Sequence, residues 1–195
     1  NYIDGLNGLC ASFSLVCLTS IIVIVNAFNS PNLLPLILPA GAIVGFLMYN
    51  LGIFGDQRNV FLGDNGSQAL GFLCLWILVY FSQFDSYGFS PVTALWLVAI
   101  LFMDAVRVLL TRIISGLRGS NIFKAKRDHI HHKLQDYGFS NELVYSVLIL
   151  SAGSLSALGI FLNRIFLESH YYSFYTFIIL WICFHIIVNK IPKNV

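Results

Sequence analysis

An all-α, polytopic transmembrane helical bundle is the fold class that this sequence predicts, and three observations predict it. Hydrophobic residues make up 57% of the 195 and charged residues only 10%, whereas charged residues run near a quarter in soluble domains. The apolar residues gather into six runs, each near the roughly 20 residues that a helical crossing of a bilayer needs. Backbone groups in lipid must be satisfied within each segment, which an open sheet cannot do. The expectation is therefore about six transmembrane helices forming one domain over residues 1–195.

The runs span residues 9–28, 33–51, 68–84, 91–110, 143–162 and 172–188. Pro31, Pro91 and Pro192 fall at or near segment ends, as helix punctuation should. Pro35 and Pro39 fall early in the second run, where they are expected to kink the helix or delay its start. Ser67 precedes the third run and reads as its N-cap. Cys10, Cys17, Cys74 and Cys183 lie in apolar runs without metal-ligand spacing and read as packing or lipid-facing residues. The chain begins at Asn1 inside a polar motif, so a longer N-terminal portion is expected.

Charge sets the orientation. Loops 1–8, 52–66, 111–142 and 189–195, with the helix ends facing them, carry ten basic residues, whereas loops 29–32, 85–90 and 163–171 carry only Arg164. By the positive-inside rule the first set is cytoplasmic. A net charge of +2 is too small to point to a nucleic-acid partner.

Three polar clusters interrupt the apolar sequence, all on the side assigned as cytoplasmic: residues 1–8 (NYIDGLNG), 61–67 (FLGDNGS) and 127–133 (RDHIHHK). Asp64, in a glycine-flanked turn before a helix, suits a hard cation, and the free N–H groups of the helix start suit a phosphate beside it; a plain capped turn is the other reading. Asp4, beside Gly5 and Asn7-Gly8, repeats that chemistry, with an interfacial cap as its alternative. Asp104, with Arg107 three residues on, is an ionisable residue inside an apolar segment: a functional group by default, or a buried pair that fixes its helix. His129, His131 and His132 in a basic loop with Arg127 can donate to phosphate, or the loop is a basic surface held near anionic lipid. His170 and His185 carry no assigned role.

At these residues the sequence resembles the polyprenyl-phosphate N-acetylhexosamine-1-phosphate transferases. Residues 1–9 look like that family's Asn-x-x-Asp-Gly-x-Asp-Gly segment, 61–67 like its Phe-Leu/Met-Gly-Asp-x-Gly-Ser segment, and 129–132 like its His-x-His-His loop, in the same order. The histidine variant and the Phe102-Met103-Asp104 stretch are similar to the branch that uses UDP-GlcNAc. Asn7 stands where many members carry a second Asp, and Lys126 where that branch often has Asp. The family's Asp-Asp-x-x-Asp motif has no counterpart here.

The resemblance implies a multi-pass enzyme of the cell inner membrane with its site facing the cytoplasm. It would transfer N-acetylhexosamine-1-phosphate from a UDP-N-acetylhexosamine to a polyprenyl phosphate lipid and release UMP. Mg²⁺, or Mn²⁺ in its place, would be held by Asp64, and Asp4 would orient or activate the acceptor. Asn1, Asn7, Asp104, Arg127, His129, His131 and His132 would bind substrate. The membrane is the expected surrounding, with a homodimer as an assembly the resemblance allows and no nucleic-acid partner. A transporter of an anion or lipid-linked sugar, and an inactive membrane subunit, are the rival classes.

Overall fold

The computed structural model describes residues 5–27, 33–55, 57, 60–83, 90–117, 127–166 and 169–191. It is helical throughout those residues: α1 (Leu9–Ala27), α2 (Leu34–Asn50), α3 (Gly63–Ser82), α4 (Pro91–Leu97), α5 (Ala99–Leu117), α6 (Ile130–Asp136), α7 (Asn141–Ile165) and α8 (Tyr171–Lys190). Helices occupy all six apolar runs, so the expected bundle is present. Pro35 falls in the first turn of α2, where its missing N–H costs nothing, and Pro39 lies within the helix.

The count of spans differs from the expectation. Among the described residues four helices, α1, α3, α7 and α8, are long and apolar enough to cross a bilayer, and a fifth crossing exists if α4 and α5 are taken together. The apolar α2 has 17 residues, about 25 Å at the α-helical rise, against a hydrocarbon core of about 30 Å. The fourth run is not one straight helix: α4 and α5 meet at Val98 with an angle of 85°. Neither proline nor glycine stands at the break.

Tertiary contacts hold each half of the broken pair. In α4, Trp96 is fully buried, its indole N–H donates to Ser173 Oγ at the start of α8 (3.0 Å), and Thr93 Oγ1 donates to Asn163 Oδ1 near the end of α7 (2.7 Å). Ser90 caps α4 by accepting from the Thr93 N–H. A stripe of buried residues on α7, including Ala152, Ser156 and Gly159, lets the helices that pack on it approach closely. A Cβ on Gly159 would lie 2.1 Å from Trp96 Cβ, so α4 rests directly on the α7 backbone there.

Helix α1 is the hub. Its residues Cys17, Leu18, Ile21 and Val25 pack with α2 and α3, while Leu9 and Phe13 pack with Val144 and Leu148 of α7 and Ile130 of α6. Large apolar residues on α3, α5 and α8 such as Phe72, Trp76, Leu109, Leu117 and Ile187 are exposed, as lipid-facing residues of a membrane bundle are. The four cysteines form no disulfide among the described residues.

Candidate active site

The site is assembled from the polar segments at one end of the bundle. Residues 5–8 lead into α1. Gly8 has φ +75°, a conformation that suits glycine, and its carbonyl accepts the Ser12 N–H at 2.8 Å, starting the helix. Gly5 faces the histidine loop so closely that a Cβ there would lie 2.8 Å from His131 Nε2. Glycine at position 5 is thus what lets an imidazole pack on the backbone. Asn1 and Asp4 lie outside the described residues.

The histidines form a stack. His129 and His131 are nearly parallel, at 11° with ring centroids 6.1 Å apart, and His132 lies 4.0 Å from His131. His131 is 1% exposed, and neither ring nitrogen has a hydrogen-bond partner among the described residues. Burial, with His132 and His129 alongside, lowers its pKa to about 4, so at neutral pH it is an uncharged ring. His132 Nδ1 lies 3.2 Å from Gln135 Oε1. Arg127 reaches along α6 to Asp136 Oδ1 (3.3 Å) and Gln135 Oε1 (3.4 Å).

Asp104 and Arg107 are both buried and lie one turn apart on α5. The Arg107 guanidinium donates to Asp104 Oδ1 from Nη2 (2.7 Å) and Nε (3.2 Å). Asp104 Oδ1 also accepts the Ile130 N–H (3.2 Å), and Oδ2 lies 2.8 Å from His129 Nδ1. Asp104, six residues beyond the bend at Val98, lies against the histidine loop through these two contacts. Arg112 Nε lies 3.5 Å from Asp128 Oδ2, which ties the loop to α5 a second time.

Asp64 is exposed in the first turn of α3. The helix begins at Gly63, five residues earlier than expected, and this displaces Ser67 from the cap: its hydroxyl donates back to Asp64 O at 3.0 Å. Asp64 therefore stands at the positive end of the helix dipole, where a carboxylate, a phosphate or both are stabilised.

Two cavities adjoin these groups. An apolar groove of about 340 Å³ between α1, α3 and α5 is lined by residues such as Phe13, Cys74, Leu78 and Phe102 and reaches Asp104 and His129. A polar cavity of about 230 Å³ is lined by Gly5, Leu6, Asn7, Asn50, Phe61 and Gly63. Cys10 borders both. Asn50, an amide one residue from the end of the second apolar run, escaped the sequence reading. It is 4% exposed, its Nδ2 donates to Val60 O, and its Oδ1 has no partner among the described residues.

Two of the polar segments meet directly, at Gly5 and His131, and the third borders the polar cavity through Phe61 and Gly63. Residues 1–82 match the family described as glycosyl transferase family 4. The chain belongs to glycosyl transferase family 4. Among relatives in this family, the undecaprenyl-phosphate alpha-N-acetylglucosaminyl 1-phosphate transferase of Escherichia coli (strain K12) is 36% identical over 162 residues, 82% of this chain and 43% of the relative. The transferase of the same name from Yersinia pestis is 31% identical over 166 residues, 85% and 45% of the two chains. That from Pasteurella multocida is 32% identical over 150 residues, 76% and 41%. The chain spans less than half the length of these curated relatives. No solved structure matches it.

Proposed function

We propose that the protein transfers N-acetylhexosamine-1-phosphate, GlcNAc-1-phosphate in the first instance, from a UDP-sugar to undecaprenyl phosphate. An oxygen of the lipid phosphate attacks the β-phosphorus of the donor, the bond from that phosphorus to the bridging oxygen breaks, and UMP leaves with that oxygen. The product is an undecaprenyl diphosphate sugar. The observation that carries this reading is the juxtaposition of a polar cavity and an apolar groove at one cluster of phosphate-suited groups. A reaction between a nucleotide sugar and a lipid phosphate needs both kinds of surface. The names of the relatives support the same chemistry.

In this reading the polyprenyl chain lies in the groove with its phosphate toward His129, and the nucleotide lies in the polar cavity. Asn50 Oδ1, buried without a partner, offers an acceptor to the base, and the exposed Phe61 ring offers a stacking face. His131 has a ring N–H with no acceptor among the described residues, and a donor phosphate would supply one. Asn7 lines the cavity beside it.

Mg²⁺ is part of the proposal. The described residues hold no cluster of three or more His, Cys, Asp or Glu able to cage a metal. A single exposed carboxylate, Asp64, nevertheless suits Mg²⁺, which is commonly held by one or two carboxylates with substrate phosphates and water completing its shell. When bound, the ion would neutralise charge developing on the leaving nucleotide. What the chain itself contributes is position: Asp64 at a helix start, His131 against Gly5, and a groove that presents the acceptor. In this reading the site faces the cytoplasm at the inner membrane, as the distribution of basic residues supports. Arg107, Arg112, Arg127, Lys133 and Lys190 all fall on the side of the bundle that holds the site, with Arg164 at the other end of α7.

The test uses the full-length protein in detergent with undecaprenyl phosphate. UDP-GlcNAc should yield UMP and a lipid-linked product, and UDP-GalNAc run in parallel reports sugar preference. Absence of UMP with every UDP-N-acetylhexosamine tried would sink the reading.

A further inference from the structure

We propose that Asp104 acts through His129, as the centre of a polar chain, His185–Asn189–Arg107–Asp104–His129, that runs from the surface of α8 to buried Arg107, Asp104 and His129 and decides which ring nitrogen of His129 is presented to substrate. Asp104, Arg107 and Asn189 are then positioning residues. Their bearing on turnover rests on the transferase reading above.

The geometry separates this role from the two read in the sequence. If Asp104 bound substrate, its carboxylate would keep an oxygen for the ligand. Instead Oδ1 accepts from Arg107 Nη2, Arg107 Nε and the Ile130 N–H, and Oδ2 faces His129 Nδ1. A pair that only fixed α5 would need Arg107 and Asp104 alone. The links to the His129 ring and to the backbone of residue 130 go beyond that requirement.

Arg107, 1% exposed, reaches further still. Its Nη2 donates to Asp128 O in the histidine loop, and Nη1 donates to Asn189 Oδ1 at 3.3 Å in the last turn of α8. The Asn189 amide in turn lies 3.0 Å from His185 Nε2. Lys133 Nζ donates to Val188 O at 2.8 Å, a second bond between the loop and the end of α8. One guanidinium thus ties three elements: α5, the histidine loop and α8.

The chemical consequence falls on His129. A carboxylate can only accept, so Nδ1 must carry the proton in the 2.8 Å contact with Oδ2. Nε2 is then the basic nitrogen of the neutral ring, and a donor once the ring is protonated. A partner on one imidazole nitrogen sets the function of the other. Since His131 stacks on His129 at 11°, the same carboxylate also helps hold the second ring against Gly5.

The experiment uses full-length protein with uniformly ¹⁵N-labelled histidine, together with Asp104→Asn, His129→Ala, their double variant and Asn189→Ala. Ring ¹⁵N shifts of wild-type His129 should report the Nδ1–H tautomer. The Asp104→Asn change should alter that signature and lower kcat by about 10- to 100-fold, the range for losing a carboxylate that orients a working histidine. KM for UDP-GlcNAc should stay within about twofold, because no ground-state contact is lost. Added to His129→Ala, Asp104→Asn should cost no further activity. Asn189→Ala, which leaves both buried charges paired, should lower kcat in the same direction with KM unchanged, and this holds the proposal to account if Asp104→Asn does not fold. A wild-type ring protonated on Nε2, a loss from Asp104→Asn that is as large without His129 as with it, or a wild-type kcat in Asn189→Ala would each overturn the proposal. A wild type that folds yet shows no transferase activity would instead count against the function, and the tautomer signature would still decide the positioning.

Discussion

Asp64 and His131 show how different two polar residues of one proposed site can be. Asp64 is exposed at a helix start, open to a hydrated cation, while His131 is enclosed and uncharged. Removing the groups that merely orient a metal ligand costs about 10- to 100-fold, so losing a ligand should cost at least about 100-fold. Asp64→Asn should therefore lower kcat by that much with the protein still folded, and EDTA should abolish wild-type activity until Mg²⁺ is returned. Turnover that survives EDTA would remove Asp64 from the metal. For His131 the ring is neutral but its proposed acceptor, a phosphate, is charged, and a hydrogen bond to a charged group is worth roughly 1.5–3 kcal/mol. His131→Ala should thus raise KM for the donor about tenfold or more. Its titration also bears on stability. The folded pKa of about 4 lies below the ordinary 6.5, so the unfolded chain binds a proton first as pH falls. The contribution of neutral His131 is complete above pH 6.5 and is lost as pH falls towards about 4. The thermal midpoint in detergent should fall across that window, and His131→Asn should flatten the slope.

At the scale of elements the decisive feature is the 85° break between α4 and α5. It turns an apolar run that reads as one straight span into two helices and brings Asp104 and Arg107 onto the histidine loop. No proline or glycine marks position 98, so the break is held from outside, by Trp96 on Gly159 and Ser173 on one side and by Arg107 on Asp128 and Asn189 on the other. Gly159→Ala tests the first clamp. Helix propensity alone favours alanine by about 1 kcal/mol, but its Cβ would meet Trp96 Cβ at 2.1 Å, and that atom cannot move without moving α4. Overpacking of this kind costs about 1–3 kcal/mol or more, so the clash should win. Fluorescence-detected thermal melts in detergent should show Gly159→Ala below wild type, and an equal or higher midpoint would show that α4 is free to shift.

For the whole molecule, orientation follows from the distribution of basic residues. In a background with the four cysteines replaced, Cys introduced for Tyr137 should be shielded from an impermeant thiol reagent in intact cells, and Cys introduced for Tyr171 should be labelled. Both positions are exposed, at 45% and 73%, so the contrast reads sidedness rather than burial. The reverse pattern would move the site to the outer face.

The helical membrane class, the six apolar runs and the polar segments that meet at one end were legible in the sequence because lipid solvation and loop charge act locally, on composition and spacing. The start of α3 at Gly63, the break at Val98, the orphaned Asn50 Oδ1 and the chain from His185 to His129 were not. Asn189 and Arg107 lie 82 positions apart, and Asp104 and His129 lie 25 apart. Whether such groups meet depends on how the helices cross, which hydropathy does not encode. Asp104 and Arg107 drew attention as an ionisable pair in an apolar run, but only the packed bundle decided what they touch. Burial there leaves each polar group in need of a partner, and the partners are drawn from distant parts of the chain.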